Sequence, residues 1–272
     1  MLKKIIQTKD HEEIIKNLLL LYQSGKFSQI IAQEKILKTT YHSQPIILNI
    51  LGATNLALNK FKNSVIYFKK VVILSPNNPD YLNNLGIAYH HNSNFKDAII
   101  FYSKALKINP NFADAYCNLG MSFKEENNHK EAIKCYKNAI KINPDHSGSY
   151  NNLGEILFLE KKFDEARRSF KKAIEIRPDF AEAYYNLGIF FQNKAKLSSA
   201  ILNFKKAIQL KSDYAEAYYN LGSIFNDLGN HLESEKSYNK AITIKPDFAD
   251  AYNNLGIVYQ DQGRIEEAIE AF

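Results

Sequence analysis

Two adjacent histidines, His90 and His91, are by type the residues best suited to hold a transition metal or to shuttle protons. A metal site needs further ligands, and no HExxH or Cys/His cluster supplies them. The pair therefore reads as two solvated or partner-facing imidazoles. Cys117 and Cys135 are the only 2 cysteines and lack CxxC spacing, so they read as ordinary reduced thiols in a cytoplasmic setting. Of the 11 glycines, seven fall at Gly52, Gly86, Gly120, Gly154, Gly188, Gly222 and Gly256, each 34 residues after the last. Gly25, Gly229 and Gly263 mark turns, and Gly148 alone remains, too little for a GxGxxG or P-loop. With no Ser-His-Asp or paired-carboxylate constellation either, these residues are expected to carry no catalysis and no cofactor.

What does repeat is a hydrogen-bonding amide. Asparagine stands at Asn84, Asn118, Asn152, Asn186, Asn220 and Asn254, again 34 residues apart. An asparagine side chain both donates and accepts, so such a ladder can grip the backbone of an extended peptide without demanding its sequence. It can equally tie neighbouring helices together through half-buried hydrogen bonds. Four residues before the asparagines lie the acids Asp80, Asp114, Glu182, Glu216 and Asp250. They favour a helix N-terminus, and they are also suited to select basic or polar peptides and repel phosphate backbones.

The elements that must carry these residues follow from the same period. Numbered from Pro45, Pro79, Ala113, Ser147, Ala181, Ala215 and Ala249, each unit has Leu or Tyr at position 4, Leu at 7 and Gly at 8, one face of a helix. After a polar turn near position 15, a second helix carries Ala at 20, as in Ala98, Ala132, Ala166, Ala200 and Ala268. It has an aromatic at 24: Phe68, Tyr102, Tyr136, Phe170, Phe204, Tyr238 and Phe272. Proline at position 32 (Pro76, Pro110, Pro144, Pro178, Pro246) stops it. Asp145, Asp179 and Asp247 are suited to cap the next helix, and Pro79 sits behind an Asn78 cap. Residues 11–44 read as a degenerate unit in which Leu18 replaces the glycine and His42 the proline, with residues 1–10 as a tail.

Tyr116-Cys117-Asn118-Leu119-Gly120 and Tyr184-Tyr185-Asn186-Leu187-Gly188, followed by Ala200, Phe204 and Ala207, resemble tetratricopeptide repeats over residues 45–272. The resemblance implies an all-α, right-handed superhelical solenoid of stacked antiparallel helix pairs, divided 45–78, 79–112, 113–146, 147–180, 181–214, 215–248 and a truncated 249–272. Its first helices would line a concave groove that binds protein or an extended peptide, with Tyr185, Tyr219, Met121, Ile87, Ile189 and Ile257 giving contact area between polar rungs. The carboxylate clamp of chaperone-binding members needs Lys at position 5 and Asn at 9; here those slots hold Asn83/Ile87, Cys117/Met121 and Asn151/Glu155. Chaperone tails are therefore disfavoured.

The phrase at 246–256, Pro-Asp-Phe-Ala-Asp-Ala-Tyr-Asn-Asn-Leu-Gly, together with the asparagine ladder and the position-2 carboxylates, is similar to the substrate-binding array of protein O-linked N-acetylglucosamine transferases. That similarity implies an alternative in which this array recruits acceptor polypeptides for a transferase domain beyond residue 272. Ending at Phe272, position 24 of its unit, the chain reads as a fragment whose open end could self-associate.

Composition bounds the partners. A chain of 272 residues, 45% hydrophobic and 24% charged, buries a sizeable core, and no apolar run reaches membrane-spanning length. Residues 1–78 hold 11 Lys/Arg against 4 Asp/Glu, whereas 79–272 hold 24 against 25. Second-helix lysines such as Lys104, Lys137, Lys171, Lys205 and Lys240 read as a solvated face, so neither nucleic acid nor a membrane is expected as partner.

Overall fold

Alternating helix-forming stretches and polar turns fold as the period predicts. The computed structural model describes the backbone of residues 2–272 and the side chains of residues 12–272. The tail expected over residues 1–10 lies outside the residues whose side chains are described. All described elements are helices, and they divide into two compact units, residues 1–144 and 145–272.

In the first unit, α1 (Leu2–Gln23), α2 (Phe27–Ala32) and α3 (Glu34–Thr40) precede three helix pairs. The pairs are α4 (Pro45–Ala57) with α5 (Phe61–Leu74), α6 (Pro79–His91) with α7 (Phe95–Ile108), and α8 (Ala113–Glu125) with α9 (His129–Ile142). The second unit pairs α10 (Ser147–Leu159) with α11 (Phe163–Ile176), and α12 (Ala181–Asn193) with α13 (Leu197–Leu210). It continues with α14 (Ala215–Asp227) and α15 (His231–Ile244), then α16 (Ala249–Asp261) and α17 (Ile265–Ala271).

Each pair closes on a contact between position 8 and position 24. A Cβ on Gly188 would lie 2.7 Å from Phe204 Cδ1 and Cε1, and one on Gly86 would lie 2.5 Å from Tyr102 Cε1. The glycine is thus the floor on which the aromatic ring lies, and Phe68, Tyr102, Tyr136, Phe170, Phe204 and Tyr238 are all nearly fully buried there. Burying a ring of that size contributes about 1.5–3 kcal/mol. Alanines at positions 20 and 27, including Ala98, Ala132, Ala166, Ala105, Ala139 and Ala173, are completely buried and bring the two backbones together. Ser64 and Ser234 take position 20 in their units and donate to the carbonyls of Gly52 and Gly222 at 2.9 and 2.8 Å.

The turn between paired helices is also uniform. Position 15 is left-handed in every unit, at Gly25, Asn59, Ser93, Asn127, Lys161, Ala195, Gly229 and Gly263. Its geometry is the six-to-one helix ending: Ala195 N donates to Gln192 O at 2.9 Å and Lys196 N to Phe191 O at 2.9 Å. Gly25 brings residues 11–44 into this register. There Leu18, 1% exposed, fills the space that glycine leaves elsewhere, position 24 is Glu34 rather than a ring, and the second helix breaks at Gln33 between α2 and α3.

Helix starts differ in one respect from expectation. Asn78 Oδ1 accepts from Asp80 N at 2.9 Å and Tyr81 N at 3.1 Å, capping α6 behind Pro79 as expected. Asp145, Asp179 and Asp247, however, fall one residue before the caps His146, Phe180 and Phe248. Phe180 N donates to Arg177 O and Phe248 N to Lys245 O, both at 3.1 Å, so Pro-Asp forms the middle of a β-turn instead of the cap.

Candidate protein-interaction face

Position 5 of the first helices lies against the partner helix, as Tyr185 on Phe204 and Tyr219 on Tyr238 show, while position 2 is exposed at Asp80, Asp114, Glu182, Glu216 and Asp250. The asparagines at position 6 are all half-buried, and the amides of Asn84, Asn118, Asn186, Asn220 and Asn254 reach back to position 5 of the preceding repeat. In the first unit Asn84 Nδ2 donates to Asn49 Oδ1 at 3.0 Å, and Asn118 Nδ2 to Asn83 Oδ1 at 3.1 Å. In the second, Asn186 Nδ2 donates to Asn151 Oδ1 at 3.0 Å and to Glu155 Oε1 at 2.9 Å. Asn220 donates to Tyr185 Oη at 3.1 Å and to Glu216 O at 2.8 Å, and Asn254 to Tyr219 Oη at 3.1 Å. Asn152 accepts from Asn151 Nδ2 at 3.4 Å.

The tie between helices is therefore present. Both hydrogen bonds of Asn186 Nδ2 are spent on it, whereas Asn220 gives one to Tyr185 and one to the Glu216 carbonyl of its own helix, and the capacity left on these side chains is the Oδ1 acceptor. The acceptor role of Asn49, Asn83 and Asn151 at position 5 escaped the sequence reading, although each stands 35 residues before the amide it receives. A pairing that crosses repeats at a fixed offset is the signal that finds them.

The aromatic rungs are held as firmly. Tyr185 packs on Tyr214 at a centroid distance of 4.8 Å and on Phe204 at 5.7 Å; Tyr219 packs on Phe248 at 5.0 Å and Tyr238 at 5.8 Å. Burial pushes the Tyr185 phenol up from its ordinary value while the Asn220 hydrogen bond pulls the other way, so the hydroxyl stays protonated at neutral pH. Asp80 and Asp114 in the first unit, and Glu182, Glu216 and Asp250 in the second, are all exposed.

The histidine pair splits. His90 Nδ1 lies 2.9 Å from Ser122 Oγ, and burial followed by the nearby His91 lowers its pKa; His91 stacks on Phe61 at 5.5 Å. Among the described residues no three His, Cys, Asp or Glu side chains converge as a metal would require. Cys117 and Cys135 are buried in one helix pair, and burial pushes the Cys135 thiol up to about 12. Among the described residues no helix is long and apolar enough to cross a membrane.

Comparison with known proteins closes the case for the fold. Sequence models described as tetratricopeptide repeat match residues 79–112, 113–146 and 135–168, and one described as TPR repeat matches 154–194, 195–229 and 222–263. No curated protein matches the chain. Among solved structures, the hetero-tetramer Cut9-Hcn1 of the APC/C is similar at a TM-score of 0.75 and 18% identity over 89% of this chain. This chain covers 48% of the matched one, about half its length. PilF of Pseudomonas aeruginosa is similar at a TM-score of 0.66 and 21% identity, over 71% of this chain and 88% of that one. MamA is similar at 0.52 and 25%, over 61% of this chain and 97% of that one. Repeats of this kind support a protein-interaction scaffold, and with their models spanning residues 79–263 the chain belongs to the tetratricopeptide repeat family.

Proposed function

We propose that the first-helix face binds an extended, basic protein segment and that the protein acts as a stoichiometric scaffold, making and breaking no covalent bond. The observation that carries this is the spending of the asparagine amides between repeats. With Nδ2 of Asn186, Asn220 and Asn254 turned to position 5, the outward chemistry of the 145–272 unit is acceptor-rich: Oδ1 atoms and the exposed carboxylates of Glu182, Glu216 and Asp250. Backbone N–H groups and Lys or Arg side chains complement that face, and a phosphate backbone does not. Tyr185 and Tyr219 supply rigid contact area between the rungs. A reducing, cytoplasmic setting suits the two buried thiols and belongs to the same reading. The alternative, a recruiting array for a larger protein O-linked N-acetylglucosamine transferase or other transferase, rests on the 246–256 phrase with the same asparagines and carboxylates, and no observation favours it over the scaffold.

The test is fluorescence anisotropy with a labelled extended peptide alternating Lys and Ala, against a Glu-Ala counterpart. The wild-type chain is expected to prefer the Lys peptide, and Glu182→Lys/Glu216→Lys/Asp250→Lys to weaken it about tenfold or more with far-UV circular dichroism unchanged. Equal binding of the two peptides, or an unchanged affinity in the triple variant, would refute the reading.

A further inference from the structure

Charge in the 145–272 unit is strongly segregated. Residues 161–211 hold 12 Lys/Arg against 5 Asp/Glu, while the rest of the unit holds 4 against 14. Part of that excess gathers where the turn from α10 to α11 meets the turn from α12 to α13, with none of the position-6 asparagines in the lining. A cleft of about 410 Å³ opens there, bordered by Lys161, Arg167, Lys194 and Lys196. Asp164 is the one carboxylate in its lining. Lys162, next in sequence, is paired with Glu160 at 2.5 Å and is thereby neutralised. The four lining cations make no such ion pair among the described residues.

Two features make this a shaped cleft. Lys194 Nζ stands 3.5 Å from the centroid of the Phe163 ring, and Phe163 packs edge-on against Phe158 at 5.6 Å, which in turn meets Phe190 at 6.4 Å. This aromatic wall fixes one ammonium and lowers the local dielectric, which strengthens any ion pair formed against it. Arg167, half-buried on the second turn of α11, brings a planar fork suited to two oxygens of one anion.

We propose that the cleft binds the phosphate group of a phosphorylated serine or threonine on a partner protein. Four cations against one carboxylate call for more than a single negative charge, and a phosphate monoester brings nearly two with three acceptor oxygens. The 14 acids elsewhere in the unit oppose a long polyanion but leave a single phosphate at this cleft unaffected. The partner therefore docks by one modified residue here, independently of any segment on the asparagine face.

The probe is a short labelled phosphoserine peptide, with its unmodified form, inorganic phosphate and a single-stranded oligoribonucleotide as comparisons. The full chain is expected to bind the phosphopeptide at least about tenfold more tightly than the unmodified peptide. Arg167→Gln/Lys194→Gln is expected to lose about tenfold or more, while Lys137→Gln/Lys171→Gln, which removes the same charge from exposed second-helix positions, keeps the affinity within about twofold. Asp164→Asn should tighten binding. No preference for the phosphopeptide, equal loss in both double variants, equal affinity for inorganic phosphate, or tighter capture of the oligoribonucleotide through the same residues would each overturn the proposal.

Discussion

Replacing Gly188 by alanine sets two effects of opposite sign against each other. Gly188 lies in the interior of α12, where an exposed Gly→Ala change would stabilise a helix by about 1 kcal/mol. Here the new Cβ would stand 2.7 Å from two carbons of the Phe204 ring and 3.1 Å from Cζ, against an ordinary carbon contact of about 3.5–4.0 Å. The ring is fully buried and backed by Tyr185 at 5.7 Å, so it has nowhere to retreat. Overpacking of this kind costs about 1–3 kcal/mol, and with contacts this short we take the upper part of that range, leaving a net loss of about 1–2 kcal/mol after the propensity gain.

Urea unfolding followed by circular dichroism reads this directly, with Gly148→Ala as the control. A Cβ on Gly148 meets only His146, at 3.5 and 3.8 Å, so that variant should be neutral or stabilised by up to about 1 kcal/mol. Trimming the ring should release the clash. Phe204→Leu alone costs about 1–2 kcal/mol, and Gly188→Ala/Phe204→Leu should cost less than the sum of its parts by about 1 kcal/mol. A Gly188→Ala chain as stable as wild type, or strictly additive costs, would refute the idea that the glycine is kept for the ring.

Two further outcomes follow from the turns and from the buried imidazole. Ala195 holds a left-handed φ of 53°, so Ala195→Gly should raise the thermal midpoint, with a gain of up to about 1 kcal/mol as relieved strain outweighs the added freedom of the unfolded chain. His90 has a folded pKa below its ordinary value of 6.5, so the unfolded chain binds the extra proton first as pH falls. Its stability cost is absent above that ordinary value and grows as pH drops through it toward the folded pKa. His90→Gln should therefore lose less stability between pH 7 and pH 5 than wild type, measured by urea midpoints at each pH.

Residue types announced the helix pairs, because glycine, alanine and proline recur where a close approach or a stop is needed. What they did not announce was who meets whom. Gly188 and Phe204 were legible as a small residue and a ring, but their stacking depends on how two helices cross. The asparagines were legible as a ladder, yet their amides turn to Asn49, Asn83, Asn151, Tyr185 and Tyr219, which requires the offset between repeats. Lys161 and Ala195 gave no hint of a left-handed turn, since only Gly25, Gly229 and Gly263 look suited to one. The place of Lys194 over Phe163 was no more legible, because it joins neighbouring repeats.

The hydrogen bonds that close a helix pair join residues 12 apart, as from Ser234 to Gly222, and those that link neighbouring pairs join residues 35 apart, as from Asn254 to Tyr219. No fastener described here reaches further along the chain, so tension applied across either unit is borne link by link. A unit pulled from its ends would then lengthen in steps, each releasing one repeat, about 110 Å of extended chain. Each released repeat could close again on its own glycine and ring when the pull slackens, which makes the stack a recoil spring with a ratchet of fixed stride.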